Sequence, residues 1–180
     1  MRINPFAWSF RAQFLLGGAI CFALVGFAIF SQLQWHLEPC PLCIFQRFAF
    51  IGLGAVFVLG GLFAPVRAGW RRVWAVLALA VAGVGITIAG RHTWLQISPP
   101  DIPACGPPYE FLRDTLSTTN LIRRVMSGSG DCGLVDWTFA GLSMPAWSLV
   151  WFVLLALWGL YAGLRRRSRR GWTSDSFGRN

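Results

Sequence analysis

The stretch EPCPLCIFQR, residues 38–47, marks the boundary between a polar segment and an apolar one. It holds Cys40 and Cys43 in a C-x-x-C arrangement, and the residues that follow are almost purely apolar as far as Phe63. An apolar run of about twenty residues is long enough to cross a bilayer as a helix. A C-x-x-C pair that opens such a helix indicates redox chemistry at a membrane surface.

The composition is that of a membrane protein. Of the 180 residues, 55% are hydrophobic and 13% are charged, whereas a soluble domain carries about 25% charged residues. All 16 basic residues are arginine, and the formal net charge is +9. These arginines stand at the ends of apolar blocks rather than on one face with base-stacking elements, so we predict no nucleic-acid partner. The expected surroundings are instead a lipid bilayer.

Four apolar blocks are long enough to span that bilayer. Each contains roughly 17–20 residues with few or no charges, which matches a hydrocarbon core of about 30 Å. The blocks are residues 12–30, 44–63, 73–90 and 145–164. Because lipid cannot satisfy exposed backbone groups, spans of this kind are helices. We therefore predict an all-α membrane protein, a four-transmembrane-helix bundle. Close helix approach is expected at its small residues, namely Gly17, Gly18, Gly52, Gly54, Gly60, Gly61, Gly83 and Gly85.

The arginines are concentrated on one side of these spans. They lie in residues 1–11, in the short link 64–72 and in the tail 165–180, while the other two loops have fewer arginines per residue. The positive-inside rule then places both termini and the short link in the cytoplasm. The other two loops, 31–43 and 91–144, are predicted to face the opposite side. They contain every cysteine except Cys21.

The position of Cys43 favours a reactive thiolate. Unpaired N–H groups and the positive end of the macrodipole lie at the start of the second span, and both stabilise the thiolate form. Arg47 follows four residues later, on the same face and leaning back toward Cys43. An arginine this close to the apolar region needs a partner. An electron acceptor that becomes anionic on reduction would provide one.

Four kinds of site use a C-x-x-C pair, and the surrounding residues favour one of them. A structural zinc site needs two more soft ligands in a second close pair, whereas Cys105 and Cys132 are far apart in the sequence. A c-type haem site needs His directly after the second cysteine, and Ile44 stands there. A structural disulfide in so small a ring is strained and labile. A redox-active dithiol fits best, and we predict no metal.

The second outer loop brings two further cysteines. Cys105 lies in the proline-rich segment 98–108, which forbids regular structure and suits a thiol that must meet a partner protein. Residues 109–126 are predicted to form a short amphipathic helix that lies on the membrane surface. Cys132 follows a Ser-Gly repeat. The spacing alone leaves open whether Cys105 and Cys132 form a structural staple or a redox relay.

Other candidate residues also have two interpretations. His36 and Glu38 precede Cys40 and are either general bases for thiol exchange or solvated loop residues. His92 ends the third span at the depth of the C-x-x-C pair, where it could bind a quinone carbonyl or anchor to lipid headgroups. Cys21, inside the first span, is interpreted as a small buried hydrophobe.

Four segments carry a resemblance to a known family. They are CPLCIFQR at 40–47, RHTWLQ at 91–96, GDC at 130–132 and GLSMP at 141–145. With the four spans and a second outer loop that bears two cysteines, they resemble the DsbB family of quinone-dependent thiol oxidases of the bacterial inner membrane. The resemblance runs from about residue 14 to residue 160, and the C-P-L-C-x-x-x-R motif is a specific part of it.

The resemblance implies the direction of electron flow. It implies that DsbA, a periplasmic thiol oxidase, is the donor and that a membrane quinone, ubiquinone or menaquinone, is the acceptor. Cys105 would accept the electrons of DsbA through a mixed disulfide, with Cys132 as its partner. The cysteine-bearing loops would therefore be periplasmic.

The resemblance also assigns roles near the quinone. Cys43 would react with the quinone, while Cys40 would link transiently to Cys132. Arg47 would polarise the quinone, and His92 would lie near the same ring. Many members have Tyr-Glu where this chain has Phe-Gln at 45–46, so any function of that acidic group is absent here. The alternative function is a disulfide-stapled four-span scaffold without redox turnover.

Overall fold

The computed structural model describes residues 8–35, 40–63, 68–98, 114–115, 117, 120 and 138–165. Four long helices account for most of these residues. They are α1 (Phe10–Trp35), α2 (Pro41–Phe63), α3 (Ala68–Ile97) and α4 (Met144–Leu164). All four are long and apolar enough to cross a membrane. The predicted all-α membrane fold with four spans is thereby confirmed.

The helices are longer than the apolar blocks that predict them. Helix α1 continues to Trp35 and α3 to Ile97, beyond the predicted ends at residues 30 and 90. Backbone hydrogen bonds persist past the last fully apolar residue, because a helix satisfies its own N–H and C=O groups in lipid and water alike. The extra turns bring polar residues of α1 and α3 level with the start of α2.

Helix pairs α1–α2 and α3–α4 pack against each other most extensively, and α2 also packs against α3. The centre of the bundle is aromatic. Phe14 of α1 and Phe57 of α2 meet edge to face with ring centroids 5.1 Å apart. Phe50 of α2 and Phe152 of α4 stack with centroids 3.8 Å apart. In lipid, such packing contacts rather than water exclusion hold helices together.

The outward surface of the bundle is apolar, as a lipid-facing surface must be. Large hydrophobic side chains are exposed on all four helices. They include Phe22, Phe27, Phe30, Phe48, Leu59, Val76, Val84, Leu154 and Leu157.

A two-stranded hairpin precedes α4 and is the element that the sequence did not predict. Strand β1 (Thr138–Phe139) pairs antiparallel with β2 (Leu142–Ser143). The two residues of the turn, Ala140 and Gly141, have φ angles of 51° and 79°. Positive φ at both central residues is the geometry that matches the twist of a tight hairpin. Ser143 then begins α4 as its N-cap, followed by Met144 and Pro145 in the first turn.

Two glycines of α3 differ in their surroundings. A Cβ built on Gly85 would collide with the ring of Phe152, which is fully buried and stacked on Phe50. A Cβ built on Gly83 would meet nothing within 4 Å. The predicted role in close helix packing therefore holds for Gly85 and not for Gly83.

We predict that Gly85→Ala destabilises the bundle and that Gly83→Ala does not. Overpacking of a filled core costs about 1–3 kcal/mol, and the Phe152 ring cannot move without disturbing its stack on Phe50. At Gly83 the same substitution gains up to about 1 kcal/mol of helix propensity. Thermal unfolding of both variants in the same detergent measures the difference. Equal melting temperatures would contradict the packing described at Gly85.

Candidate active site

The C-x-x-C pair lies at the first turn of α2. Pro41 is the first helical residue, a position that suits a residue without an N–H group. The Ile44 N–H donates to the Cys40 carbonyl at 3.3 Å, so Cys40 is the residue that caps the helix. Cys43 consequently lies within the first turn, where the backbone N–H groups have no acceptor inside the helix itself. The helix starts three residues before the apolar block, at Pro41 instead of Ile44.

The two sulfurs are close together and half-buried. Cys40 and Cys43 are thiols, with a Sγ–Sγ distance of 3.3 Å at which the Cys40 S–H donates to the Cys43 sulfur. Such a bond favours the thiolate form of Cys43, as does the positive end of the helix macrodipole. These two features agree with the expectation from the sequence that Cys43 is the reactive thiol of the pair, which stays a prediction.

His92 of α3 contacts Cys40. Its Nε2 lies 3.6 Å from Cys40 Sγ, and its side chain is 2% exposed. On the other side of the ring, Nδ1 lies 2.9 Å from the side-chain amide of Gln46, which is also buried. Gln46 thus fixes the orientation of the imidazole. If Nδ1 carries the ring proton, the amide presents its oxygen to it, and if Nδ1 is bare, the amide presents its N–H. The sequence placed His92 at the right depth but gave no sign of Gln46 as its partner.

Arg47 is held by α1. Its Nη1 donates to Gln32 Oε1 at 2.6 Å, and its Nη2 donates to the Ala28 carbonyl at 3.2 Å. Both acceptors are neutral, so they orient the guanidinium without cancelling its charge. The sequence predicted that Arg47 needs a partner, and α1 supplies two acceptors that the sequence did not reveal. The positive charge remains available to a second partner that is anionic.

A cavity of about 540 Å³ opens beside Cys43 and Arg47. Its wall includes Cys43 but neither Cys40 nor His92 among the residues that the structure describes. Helices α1, α2 and α4 and strand β1 surround it. The lining residues are Leu24, Val25, Phe27, Ala28, Cys43, Gln46, Arg47, Phe50, Phe139, Met144, Pro145, Trp147, Ser148 and Trp151.

The hairpin closes one side of this cavity. Phe139 of β1 is in the lining, and its carbonyl accepts a hydrogen bond of 2.9 Å from Trp147 Nε1. Ser143 Oγ donates to Gln96 Oε1 at 2.6 Å and ties the hairpin to the last turn of α3. Three of the segments singled out in the sequence, at 40–47, 91–96 and 141–145, are thereby gathered at one end of the bundle.

The cavity has the properties of a site for a quinone ring. Its volume lies within the range of about 300–1,000 Å³ that is usual for small-molecule pockets. The lining is mostly apolar and aromatic, with Cys43, Gln46 and Arg47 as convergent polar groups. A flat apolar ring with polar carbonyl oxygens matches that distribution, so the residues present fit a quinone.

Some predicted site residues lie outside the described part of the chain. These are Cys105, Cys132, His36 and Glu38. Of the predicted interfacial helix 109–126, four residues are described, and Asp114, Thr115 and Asn120 among them are helical. Cys21 is described and is fully buried in the core, as expected for a small hydrophobe.

The chain is similar to proteins that share one family name. A family model described as disulfide bond formation protein DsbB matches residues 10–162. Disulfide bond formation protein B of Xanthomonas campestris pv. campestris (strain 8004) is 56% identical over 169 residues, 93% of this chain and 98% of that protein. The protein of that name from Xanthomonas euvesicatoria pv. vesicatoria (strain 85-10) is 56% identical over 166 residues, 92% of this chain and 96% of that protein. The one from Xylella fastidiosa (strain 9a5c) is 47% identical over 169 residues, 93% and 98% of the two chains.

The matched range contains the C-x-x-C pair, Arg47, His92 and nearly all of the four helices. DsbB proteins are quinone-dependent disulfide oxidoreductases, which agrees with a dithiol beside an apolar cavity. Because the family model and the relatives cover most of the chain, this protein belongs to the DsbB family and is a membrane oxidoreductase of disulfide bond formation that reoxidises DsbA.

Proposed function

We propose that electrons reach the Cys40–Cys43 pair through Cys105 and Cys132 and leave it from Cys43 to a membrane quinone held in the cavity. The observation that carries this proposal is that Cys43 and Arg47 line the same apolar cavity. A bound quinone would supply a two-electron, two-proton acceptor. The donor is a DsbA-like periplasmic thiol oxidase.

The chain's own steps are thiol–disulfide exchanges, in which each bond formed replaces one broken. The Cys105–Cys132 disulfide is reduced as DsbA is oxidised, with a mixed disulfide between DsbA and Cys105. Cys132 then attacks Cys40 of the Cys40–Cys43 disulfide, which forms a transient Cys132–Cys40 disulfide and releases Cys43 as a thiolate. Attack of Cys105 on Cys132 re-forms the Cys105–Cys132 disulfide and releases Cys40. Reduction of the Cys40–Cys43 disulfide in this way brings two electrons to the wall of the cavity.

Arg47 acts at that wall. A guanidinium that lines the same cavity as Cys43 stabilises the thiolate and the negative charge that develops on a quinone oxygen. Its two bonds to α1 hold it in place without neutralising it. Gln46 lines the same cavity and also contacts His92. It therefore connects the cavity beside Cys43 with the imidazole beside Cys40.

His92 faces Cys40 in the structure. An imidazole 3.6 Å from Cys40 Sγ is placed to exchange a proton with that thiol during its disulfide chemistry. The role at the quinone ring that the family resemblance implies stays a prediction. Either ubiquinone or menaquinone is expected as the acceptor, since both carry the same pair of ring carbonyls.

The proposed site of action is the bacterial inner membrane. Both termini and residues 64–72 lie in the cytoplasm, and loops 31–43 and 91–144 lie in the periplasm. The uneven distribution of arginines supports this orientation. So does the position of the C-x-x-C pair at the end of the bundle where α3 ends and the hairpin and α4 begin, because the segment with Cys105 and Cys132 connects those two points.

The direct test of this function mixes purified protein, reduced DsbA and a soluble quinone, and follows quinone reduction by absorbance. We expect stimulation over a protein-free control. Purified protein with intact cysteines that gives no stimulation would instead support the stapled scaffold.

We predict that filling the cavity selectively weakens the use of quinone. Ser148→Trp places an indole in the cavity, and the Michaelis constant for quinone should rise by about tenfold or more, equivalent to about 1.4 kcal/mol or more of binding free energy. Thiol exchange with DsbA in the absence of quinone should continue at the normal rate. Steady-state kinetics and stopped-flow exchange measure the two quantities.

Val150→Trp is the matched control, because Val150 is on α4 two residues away and faces outward. Its quinone kinetics should equal those of the unmodified protein. If Ser148→Trp also leaves the Michaelis constant unchanged, the quinone binds elsewhere.

A further inference from the structure

Three soft or borderline metal ligands converge on one side of the C-x-x-C pair. Cys40 Sγ, Cys43 Sγ and His92 Nε2 all lie within 4.8 Å of one another. They come from the first turn of α2 and the last turns of α3, so the packing of two helices sets their spacing. His92 approaches from the side that does not line the cavity. The arrangement shares Cys43 with the wall of the proposed quinone site, whereas Cys40 and His92 lie outside that lining.

Two of the three separations are close to those of a tetrahedral zinc site, and the third, between Cys43 and His92, lies within 4.8 Å. Zinc bonds of about 2.3 Å to sulfur and 2.0–2.1 Å to nitrogen place two sulfurs about 3.8 Å apart and sulfur about 3.6 Å from nitrogen. The observed Cys40–Cys43 distance is 3.3 Å, and the Cys40–His92 distance is 3.6 Å. A side-chain adjustment of about half an ångström would therefore bring the sulfurs to the required spacing.

Gln46 supplies the outer support that such a histidine needs. A histidine bound to a metal through Nε2 carries a proton on Nδ1 and donates it to a carbonyl or carboxylate. In the structure Gln46 Nε2 lies 2.9 Å from Nδ1, and the side chain is 4% exposed. Rotation of the amide by half a turn places its oxygen there as the acceptor from Nδ1–H. The ring is therefore held with Nε2 directed at the sulfurs.

We propose that the reduced Cys40–Cys43 pair and His92 form a binding site for Zn²⁺. Two thiolates and a neutral imidazole balance the charge of the ion, and both sulfurs are half-buried, which leaves room for a water as fourth ligand. Binding releases the two thiol protons. The Cys40–Cys43 disulfide offers no thiolate, so the site exists only in the reduced pair. The ion is an inhibitor of that state and not a resident cofactor.

The consequence for turnover rests on the proposed function. If the reduced pair is an intermediate on the way to quinone, Zn²⁺ traps it and slows quinone reduction. Binding itself requires only the three ligands, so a test of binding is independent of DsbA and quinone. Failure of one proposal therefore leaves the other intact.

The experiment uses full-length protein in which Cys21, Cys105 and Cys132 are replaced by Ser, so that Cys40 and Cys43 are the only thiols. The reduced protein is titrated with Co²⁺, which reports tetrahedral thiolate ligation through its charge-transfer and d–d absorption. We expect one Co²⁺ per chain and displacement by one equivalent of Zn²⁺. The same protein with the Cys40–Cys43 disulfide formed should show neither band.

Three variants identify the histidine and its support. His92→Ala should weaken Co²⁺ binding by about tenfold or more, and Gln46→Leu by about 10–100-fold. Gln46→Glu should strengthen it, because a carboxylate is the stronger acceptor from Nδ1–H. Circular dichroism verifies that each variant keeps its helices. If His92→Ala is not folded, the opposite shifts of the two Gln46 variants remain to test the site.

Any of three results would overturn the proposal, and a fourth would exclude His92 as a ligand. The three are the absence of thiolate-to-cobalt absorption in the reduced protein, equal binding by the reduced and disulfide forms, and unchanged affinity in a folded His92→Ala variant. Unchanged affinity in both Gln46 variants would equally exclude His92 as a ligand.

Discussion

Replacement of Cys43 by Ser is expected to abolish DsbA-dependent quinone reduction, with a loss of about a thousandfold or more. A hydroxyl at the first turn of α2 can neither close a disulfide with Cys40 nor act as the thiolate that faces the cavity. Both roles depend on the sulfur, because the helix terminus and the neighbouring cation stabilise a thiolate and not a serine alkoxide. Quinone reduction in the presence of reduced DsbA measures the effect.

Cys21→Ser is the matched control for this substitution. Cys21 is a thiol of the same chain, but it is fully buried in the core and packs against α2. Removal of its sulfur leaves the four outer cysteines and the cavity unchanged, so turnover should stay near that of the unmodified protein. A Cys43→Ser variant with normal rates would show that the electrons leave the protein from another residue.

Arg47→Met should lower kcat/KM for quinone by about 10²–10³-fold, the effect usually seen when a preorganised charge-stabilising donor is removed. Methionine keeps an apolar side chain of comparable length but loses the charge and the bonds to Gln32 and Ala28. The kcat/KM of Arg47→Lys should lie between those of Arg47→Met and the unmodified protein, because an ammonium keeps the charge but cannot reproduce the planar fork of the guanidinium. Steady-state kinetics at saturating reduced DsbA give both values.

The control for Arg47 is Arg72→Gln, since Arg72 is exposed near the start of α3, at the opposite end of that helix from His92. It should leave kcat/KM for quinone unchanged. Equal losses in Arg47→Met and Arg72→Gln would point to a general effect of net charge. No loss in Arg47→Met would exclude the guanidinium from the quinone site.

The sequence predicted much of the fold because membrane spans follow local rules. Length, apolar content and the demand for internal backbone hydrogen bonds are all properties of one segment at a time. The placement of Arg47 on the face of Cys43 followed from helical spacing in the same way. These predictions needed no knowledge of which helices touch.

The remainder of the site depends on contacts between distant segments. The bond between Gln46 and His92 joins residues 46 positions apart, and Cys40 and His92 are 52 apart. Gln32 as the acceptor for Arg47 likewise depends on how α1 packs against α2. A single sequence contains no signal for such pairs. They form only when each helix has the right rotation about its own axis and the right depth in the membrane.

The hairpin was missed for a different reason. Its strands have two residues each, which is too short for an alternating pattern. The turn also has Ala140 at a position where Gly or Asn is the usual signal. The hairpin nevertheless supplies Phe139 to the cavity wall. A connection of six residues is thus part of the proposed quinone site.

The central claim is that the Cys40–Cys43 pair passes electrons directly to a quinone in the adjoining cavity. Its most direct test is a single turnover with protein in which Cys105 and Cys132 are replaced by Ser. The remaining pair is reduced, the excess reductant is removed, and quinone is added while quinol and thiols are counted. We predict one quinol for each chain, a new Cys40–Cys43 disulfide in the mass spectrum, and no quinol when Cys43 is also replaced by Ser. Retention of both thiols with no quinol formed would contradict the claim.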